Sequence, residues 1–339
     1  MITRSEPNLQ GDLWQSELKN GFSRLPDLLS FLDLSPEQFA DPSAAIAEFS
    51  LRVPRGFAAR MKKGDPADPL LLQVLPNQLE MLPSAEGGYY TDPLAESAKN
   101  PIPGLLHKYA DRVLLVLTGS CAINCRYCFR RHFDYSDNQA TRPAWEPMLT
   151  YIAANSQINE VILSGGDPLL LKDELLTELL ARLSTIPHLK RLRIHSRIPV
   201  VLPSRITPKL LELFAHCRLQ TVLVLHSNHA QEIDEAVVAM ARRVQQQGIT
   251  LLNQTVLLKG INDEVGLLAE LSEALFAAGI IPYYLHLLDK VQGAAHFDLP
   301  LSRALELYQQ LQARLSGYLV PRLVRETAGA PNKVLMGLS

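Results

Sequence analysis

Val113-Leu-Leu-Val-Leu117-Thr-Gly-Ser-Cys121-Ala-Ile-Asn-Cys125-Arg-Tyr-Cys128 sets a short aliphatic run directly before three cysteines. A continuous apolar run of this length, rich in branched side chains, reads as a strand buried on both faces. Five more such runs follow, at 161–164, 192–195, 222–226, 251–258 and 283–288. Amphipathic helical patterns alternate with them near 145–154, 172–183, 208–216, 232–247, 264–278 and 302–315. Strands alternating with helices of this length imply a parallel sheet with right-handed crossovers. Six βα units are too few to close an eightfold barrel, so the expected fold is α/β, a partial open (β/α)6 barrel over 111–318. Residues 1–110 read as a mostly helical N-terminal extension broken by prolines 66, 69, 76 and 83. Residues 319–339 read as a short C-terminal tail.

The cysteines carry the first chemical information. Three thiolates on one loop hold three irons of a [4Fe–4S] cube and leave the fourth iron open to a small molecule. A structural zinc site wants four ligands; His132 is a candidate fourth, but the second cysteine pair usual for zinc is missing. Met1-Ile-Thr-Arg-Ser-Glu6 has no apolar segment of the secretory type, so the expected compartment is the cytoplasm, where thiols stay reduced. Cys217 lies in the apolar pattern of Leu210, Leu211, Leu213 and Phe214 and reads as a small buried hydrophobe.

Composition limits the partners. The 339 residues are 47% hydrophobic, enough for one large core with an appendage. A net charge of −2 lacks the basic excess of nucleic-acid binders, and no apolar run is long enough to span a bilayer. The Arg60-Met-Lys62-Lys63 cluster reads as a solvated helix end.

Barrels place their chemistry at the C-terminal ends of the strands. The cysteine loop follows strand one, Ser164-Gly165-Gly166-Asp167 ends strand two, and His195-Ser-Arg197 ends strand three. His226-Ser-Asn-His229 ends strand four, Asn253-Gln254 lies within the strand-five run, and Asp289-Lys290 ends strand six. Two successive glycines permit a close backbone approach to a ligand that a Cβ would block. Alone, Gly-Gly-Asp is an ordinary βα turn and His226 an ordinary core histidine; one strand away from CxxxCxxC, the glycine turn becomes a ligand candidate.

Taken together, the run 121–131, Leu163-Ser-Gly-Gly-Asp167-Pro168, the segment 253–263 and Tyr284-Leu-His-Leu-Leu-Asp289 with His296-Phe297 resemble the lysine 2,3-aminomutase family of radical S-adenosylmethionine (SAM) enzymes, nearly collinearly from about residue 51 to 333. The Cys-Phe-Arg-Arg-His-Phe run at 128–133 resembles the branch that makes (R)-β-lysine for modification of translation elongation factor P.

The resemblance implies an isomerase that moves the amino group of (S)-α-lysine from C2 to C3, with three cofactors: a [4Fe–4S] cluster on Cys121, Cys125 and Cys128, SAM, and pyridoxal 5′-phosphate (PLP). SAM contacts fall on Ser164, Gly165, Gly166, Asp167, His226 and Gln254. Lys333, by its position near a chain end an ordinary solvated lysine, becomes the Schiff-base residue for PLP, with Lys108 and Arg112 on the phosphate. Arg130 becomes the receptor for the substrate carboxylate, a bidentate fork, while Asp289 and Glu326 receive the side-chain ammonium. The implied partners are L-lysine, an electron donor such as flavodoxin or ferredoxin, and, functionally, elongation factor P with its lysyl ligase.

Glu326 stands where the family more often has aspartate, and Lys108 where many members have arginine. The chain also stops without the C-terminal extension that larger aminomutases use in oligomer contacts, and that absence is the argument against a free lysine 2,3-aminomutase of lysine catabolism. A non-enzymatic iron–sulfur or zinc protein is the alternative from another class.

Overall fold

The computed structural model describes residues 9–83, 87–135 and 142–337. The Met1–Glu6 run and the last residues of the tail lie outside them. The architecture is one nine-stranded sheet in which every strand pairs with its neighbour in sequence, with β1 (Leu105–Tyr109) and β9 (Val334–Leu335) at its edges. β2 (Arg112–Val116), β3 (Glu160–Ser164), β4 (Arg191–Ser196), β5 (Gln220–His226), β6 (Thr250–Val256), β7 (Ile281–His286) and β8 (Arg322–Arg325) run parallel. β1 and β9 are antiparallel to their neighbours. The order is that of an open barrel, with the two edges unpaired to each other in the sheet.

The six expected strands are present, each within a few residues of its expected bounds. The count of six was short by one parallel strand: β8 comes from the segment assigned to the tail. Its Leu323 and Val324 are buried, but four residues with an arginine at each end show neither an apolar run nor a helical period. β1 was likewise missed within the N-terminal extension, because Lys108 and Tyr109 interrupt its apolar pattern.

The N-terminal extension opens with α1 (Leu9–Lys19) and α2 (Leu25–Phe31). The sheet is then backed by α3 (Trp145–Ala154), α4 (Asp173–Ser184), α5 (Pro208–Ala215), α6 (Glu235–Gln246), α7 (Val265–Ala277) and α8 (Leu301–Arg314). Local chemistry starts them: Thr207 and Asp234 accept from backbone N–H groups in the first turns of α5 and α6, at 3.2 and 2.9 Å. Among the described residues no helix is long and apolar enough to cross a membrane.

Alternation along the strands divides the sheet into two faces. Val161, Leu163, Leu192, Ile194, Leu223, Leu225 and Leu251 belong to the core shared with the helices. The intervening positions, including Ile162, Ser164, Arg193, His195, His226, Gln254, Tyr284 and His286, line a cavity. The extension is no separate layer: Trp14, Leu28, Phe57 and Leu70 join the same core as Leu169 and Val200. Arg60, read as solvated, is buried instead, donating to the carbonyls of Glu232 (2.5 Å) and Val200 (2.7 Å) and pairing with Asp234, while Lys62 and Lys63 stay exposed.

Candidate active site

The cavity, about 900 Å³, is lined by all fifteen candidate residues: Cys121, Cys125, Cys128, Ser164, Gly165, Gly166, Asp167, His226, Gln254, Lys108, Arg112, Arg130, Asp289, Glu326 and Lys333. They run from residue 108 to residue 333 and come from eight of the nine strands or strand ends, all but β4.

The cysteine loop leaves β2 and is stapled to the N-terminal extension. Arg126, next to Cys125 in the loop, is wholly buried, and its guanidinium donates to both oxygens of Glu80 (2.8 and 2.6 Å) and to the carbonyl of Phe49 (2.6 Å). Arg131 donates to the same Glu80 at 2.8 Å. Arg52 donates to the Cys121 carbonyl at 2.9 Å, and the Arg126 N–H to the Gln73 carbonyl at 2.9 Å. Cys217 packs at the edge of the core, away from this loop.

The three thiols line the cavity from one loop, although among the described residues they form no preassembled group of metal-ligating side chains. Burial, reinforced by the neighbouring thiols, pushes Cys121 well above the ordinary thiol range and Cys128 up to about 11. A bound polycation reverses that balance and takes its ligands as thiolates. Arg197 Nη1 donates to Cys125 Sγ at 2.8 Å, the kind of contact that tunes a cluster. His132, the candidate fourth zinc ligand, is turned instead to the Gln292 carbonyl at 3.1 Å, with Glu48 beside it, and is not part of the cavity wall.

The Gly-Gly-Asp turn bears first on the protein itself. Gly165 has φ +131°, and a Cβ there would lie 2.5 Å from the Thr118 carbonyl oxygen; one at Gly166 would lie 2.2 Å from that of Ser120. The glycines thus let the β3 turn close onto the segment just before Cys121, where Gly166 N–H donates to Thr118 O (2.5 Å) and Asp167 N–H to Ser120 O (2.8 Å). The Asp167 carboxylate accepts from Ser196 Oγ (2.7 Å) and from the N–H groups of Leu169 (3.1 Å), Arg197 (2.8 Å) and Ile198 (3.0 Å). Burial raises its pKa to about 6 against these hydrogen bonds.

His226 and Gln254 sit opposite each other on β5 and β6, 3.0 Å apart through their side-chain nitrogens. Burial lowers His226 to about 3 and holds His195 and His286 well below the ordinary imidazole value. All three imidazoles are therefore neutral near pH 7, and the Nε2 atoms of His195 and His286 are buried without a partner among the described residues.

Charged groups gather where the tail enters the cavity. The tail folds back as β9 and places Lys333 in the cavity, its ammonium on Glu326. Tyr109 donates to Glu326 at 2.6 Å, and Lys108 lies 3.8 Å from the same carboxylate. Burial would raise Glu326, but Lys333, Tyr109 and Lys108 hold it below the usual carboxylate value. Asp289 faces the same group: burial pushes it up to about 7, with Lys333 pulling down and Glu326 pushing up. Arg112 pairs with Asp111 at 2.7 Å and lies over the Tyr109 ring. Lys333, Lys108 and Arg112, the residues that the resemblance gives to PLP, all line the cavity, each on a carboxylate: Glu326, Glu96 and Asp111.

Arg130 is not an open fork. Its Nε and Nη2 donate to the two oxygens of Glu96 at 2.7 and 3.0 Å, and its Nη1 to Ser164 Oγ (3.0 Å) and the Gly165 carbonyl (3.3 Å). Glu96 also pairs with Lys108 at 2.9 Å. No sequence signal marked Glu96, which lies in an irregular segment without periodicity. His195 and Arg197 were visible as a polar strand end, yet nothing in their spacing gave them a role.

A parallel array whose strand ends bring a CxxxCxxC loop and a glycine turn to one cavity defines a radical SAM enzyme, and the profile of the radical SAM superfamily matches residues 115–271. Membership implies a [4Fe–4S] cluster and SAM. The chain is 51% identical to the L-lysine 2,3-aminomutase of Haemophilus influenzae over 334 residues, 98% of this chain and 97% of that protein. It is 48% identical to the Escherichia coli L-lysine 2,3-aminomutase over 339 residues, 100% and 98% of the two chains. The Clostridium subterminale L-lysine 2,3-aminomutase is 35% identical over 321 residues, 94% of this chain and 76% of that one. The chain belongs to the lysine 2,3-aminomutase family and is an isomerase.

Proposed function

We propose that this protein is a PLP-dependent radical SAM aminomutase that converts (S)-α-lysine to (R)-β-lysine, and that the product serves the post-translational modification of elongation factor P. The supporting observation is the Lys333 ammonium itself. It is the same chemical group as the end of the substrate, and it rests against Glu326 with Asp289 close by, the two acids expected to receive that end. The cavity is thus complementary to a lysine ammonium.

When bound, the cluster and SAM supply a carbon radical able to take hydrogen from an unactivated carbon, and PLP supplies delocalisation during the nitrogen shift. The chain's own groups do the rest. Cys121, Cys125 and Cys128 hold the cluster on a loop anchored through Arg126. Lys333 must give up its proton to hold PLP, and Lys108 and Arg112 offer cations for the phosphate. With the Lys333 ammonium gone, the Asp289 carboxylate and the one Glu326 oxygen that Tyr109 does not occupy can take the substrate ammonium, while Arg130 faces the carboxylate. A shorter diamine acid leaves its ammonium unpaired in a buried site, a cost that discriminates strongly against it. Ile162, Val222, Leu252 and Leu288 give the cavity an apolar wall.

The test is anaerobic reconstitution with iron, sulfide, PLP, SAM and a reductant, followed by chiral analysis of the product from L-lysine. (R)-β-lysine that the lysyl ligase attaches to elongation factor P supports the reading. (S)-β-lysine favours a free lysine aminomutase, and no β-lysine from a protein with full cluster and PLP content overturns the assignment.

A further inference from the structure

Arg130 has five N–H donors. Among the described residues, Glu96 takes two, from Nε and Nη2, and Ser164 Oγ and the Gly165 carbonyl take the two of Nη1. One donor remains, on Nη2. A substrate carboxylate therefore meets a guanidinium whose side-on edge is already filled by a carboxylate of the protein.

Glu96 is well placed to keep that edge. Its side chain is only 4% exposed, it holds Arg130 through a bidentate contact, and its second cation is Lys108 at 2.9 Å. Burial would raise its pKa, but Arg130 and Lys108 lower it to about 2, so it stays charged across the working pH range. Moving it aside would leave a carboxylate buried without its partner, which is costly.

We propose that Glu96 is a positioning residue for the substrate carboxylate: it locks Arg130 in place and turns a bidentate cation into a receptor offering a single N–H. It also joins that receptor to Lys108, so that the carboxylate site and the phosphate-binding cations are held by one buried acid. The inference rests on the lysine aminomutase reading above and adds to it a residue and a binding mode.

The experiment compares wild type, Glu96→Gln and Glu96→Asp as reconstituted holoenzymes with two substrates, L-lysine and L-lysinamide, whose carboxylate is masked. Glu96→Gln should raise the KM for lysine at least tenfold with a smaller change in kcat, and Glu96→Asp should recover part of the loss. With lysinamide the Glu96→Gln penalty should shrink to threefold or less, because the anion that Arg130 is positioned to meet is gone. Iron content should match wild type in both variants. An unchanged KM for lysine in Glu96→Gln overturns the proposal, as does an equal penalty with both substrates, the mark of a merely structural acid. Loss of cluster from both variants overturns it too. Failure of wild type to turn over lysine falls on the underlying activity, whereas normal wild-type turnover with a silent Glu96→Gln falls on Glu96 alone.

Discussion

Asp289→Asn tests the ammonium site at the cost of little shape. Asp289 lines the cavity within electrostatic reach of Lys333 and Glu326, and burial pushes its pKa from 3.8 up to about 7. The asparagine keeps a hydrogen-bond acceptor and removes the charge. A hydrogen bond to a charged group is worth about 1.5–3 kcal/mol, so loss of the charge-assisted contact should cost lysine on the order of 2–3 kcal/mol. At about 1.4 kcal/mol per decade this is roughly a 30- to 150-fold fall in kcat/KM. The pH dependence has a definite sign. Only the ionised carboxylate receives an ammonium, so wild-type kcat/KM should rise with pH up to about 7 and fall about tenfold per unit below it. In Asp289→Asn that acidic limb should be gone. The ligand-free protein offers a second readout. Between about pH 4 and 7 the folded state keeps a proton that the unfolded state has released, so this group's contribution to stability declines as pH rises through that window. The asparagine removes that slope. Wild-type kinetics with the acidic limb intact would refute the ammonium site, and a loss confined to PLP occupancy would reassign Asp289 to the cofactor.

Replacing Cys121, Cys125 or Cys128 by alanine should abolish the four-iron cluster and reductive SAM cleavage, read by iron and sulfide analysis, while Cys217→Ala leaves both unchanged. Lys333→Ala should eliminate the borohydride-reducible PLP adduct with iron content preserved; an adduct that survives moves the linkage to another lysine. Arg126→Met leaves the buried Glu80 with Arg131 alone and should lower stability by about 1.5–3 kcal/mol in denaturant unfolding, the worth of a hydrogen bond to a charged group. A change below about 1 kcal/mol would remove Arg126 as the anchor of the cysteine loop. Gly166→Ala sets a Cβ 2.2 Å from the Ser120 carbonyl oxygen and should reduce iron loading by displacing the segment before Cys121; full loading would show that the turn relaxes freely.

The strands and the cysteine loop were legible because each signal is local. An aliphatic run of five residues, a helical period and CxxxCxxC spacing are all written within a few turns of chain, and β2 to β7 follow them closely. β8 was not legible, since its pairing with β7 rather than its composition makes it a strand. The glycines at 165 and 166 were visible as conformational signals, but what they approach was not. Sequence suggested a ligand; the structure adds that both glycines meet the backbone of residues 118 and 120 while lining the cavity.

By itself the sequence determined the parallel βα architecture, the three-thiol loop and the family, because hydrophobic period and cysteine spacing are short-range properties. Only the tertiary structure decided the electrostatic partners. Glu80 and Glu96 act on arginines 46 and 34 residues away, and the tail returns Lys333 to Glu326 and Asp289 beside strands that began more than 200 residues earlier. A buried charge is defined by the groups that surround it, and those are set by chain packing, which no local pattern of residues records.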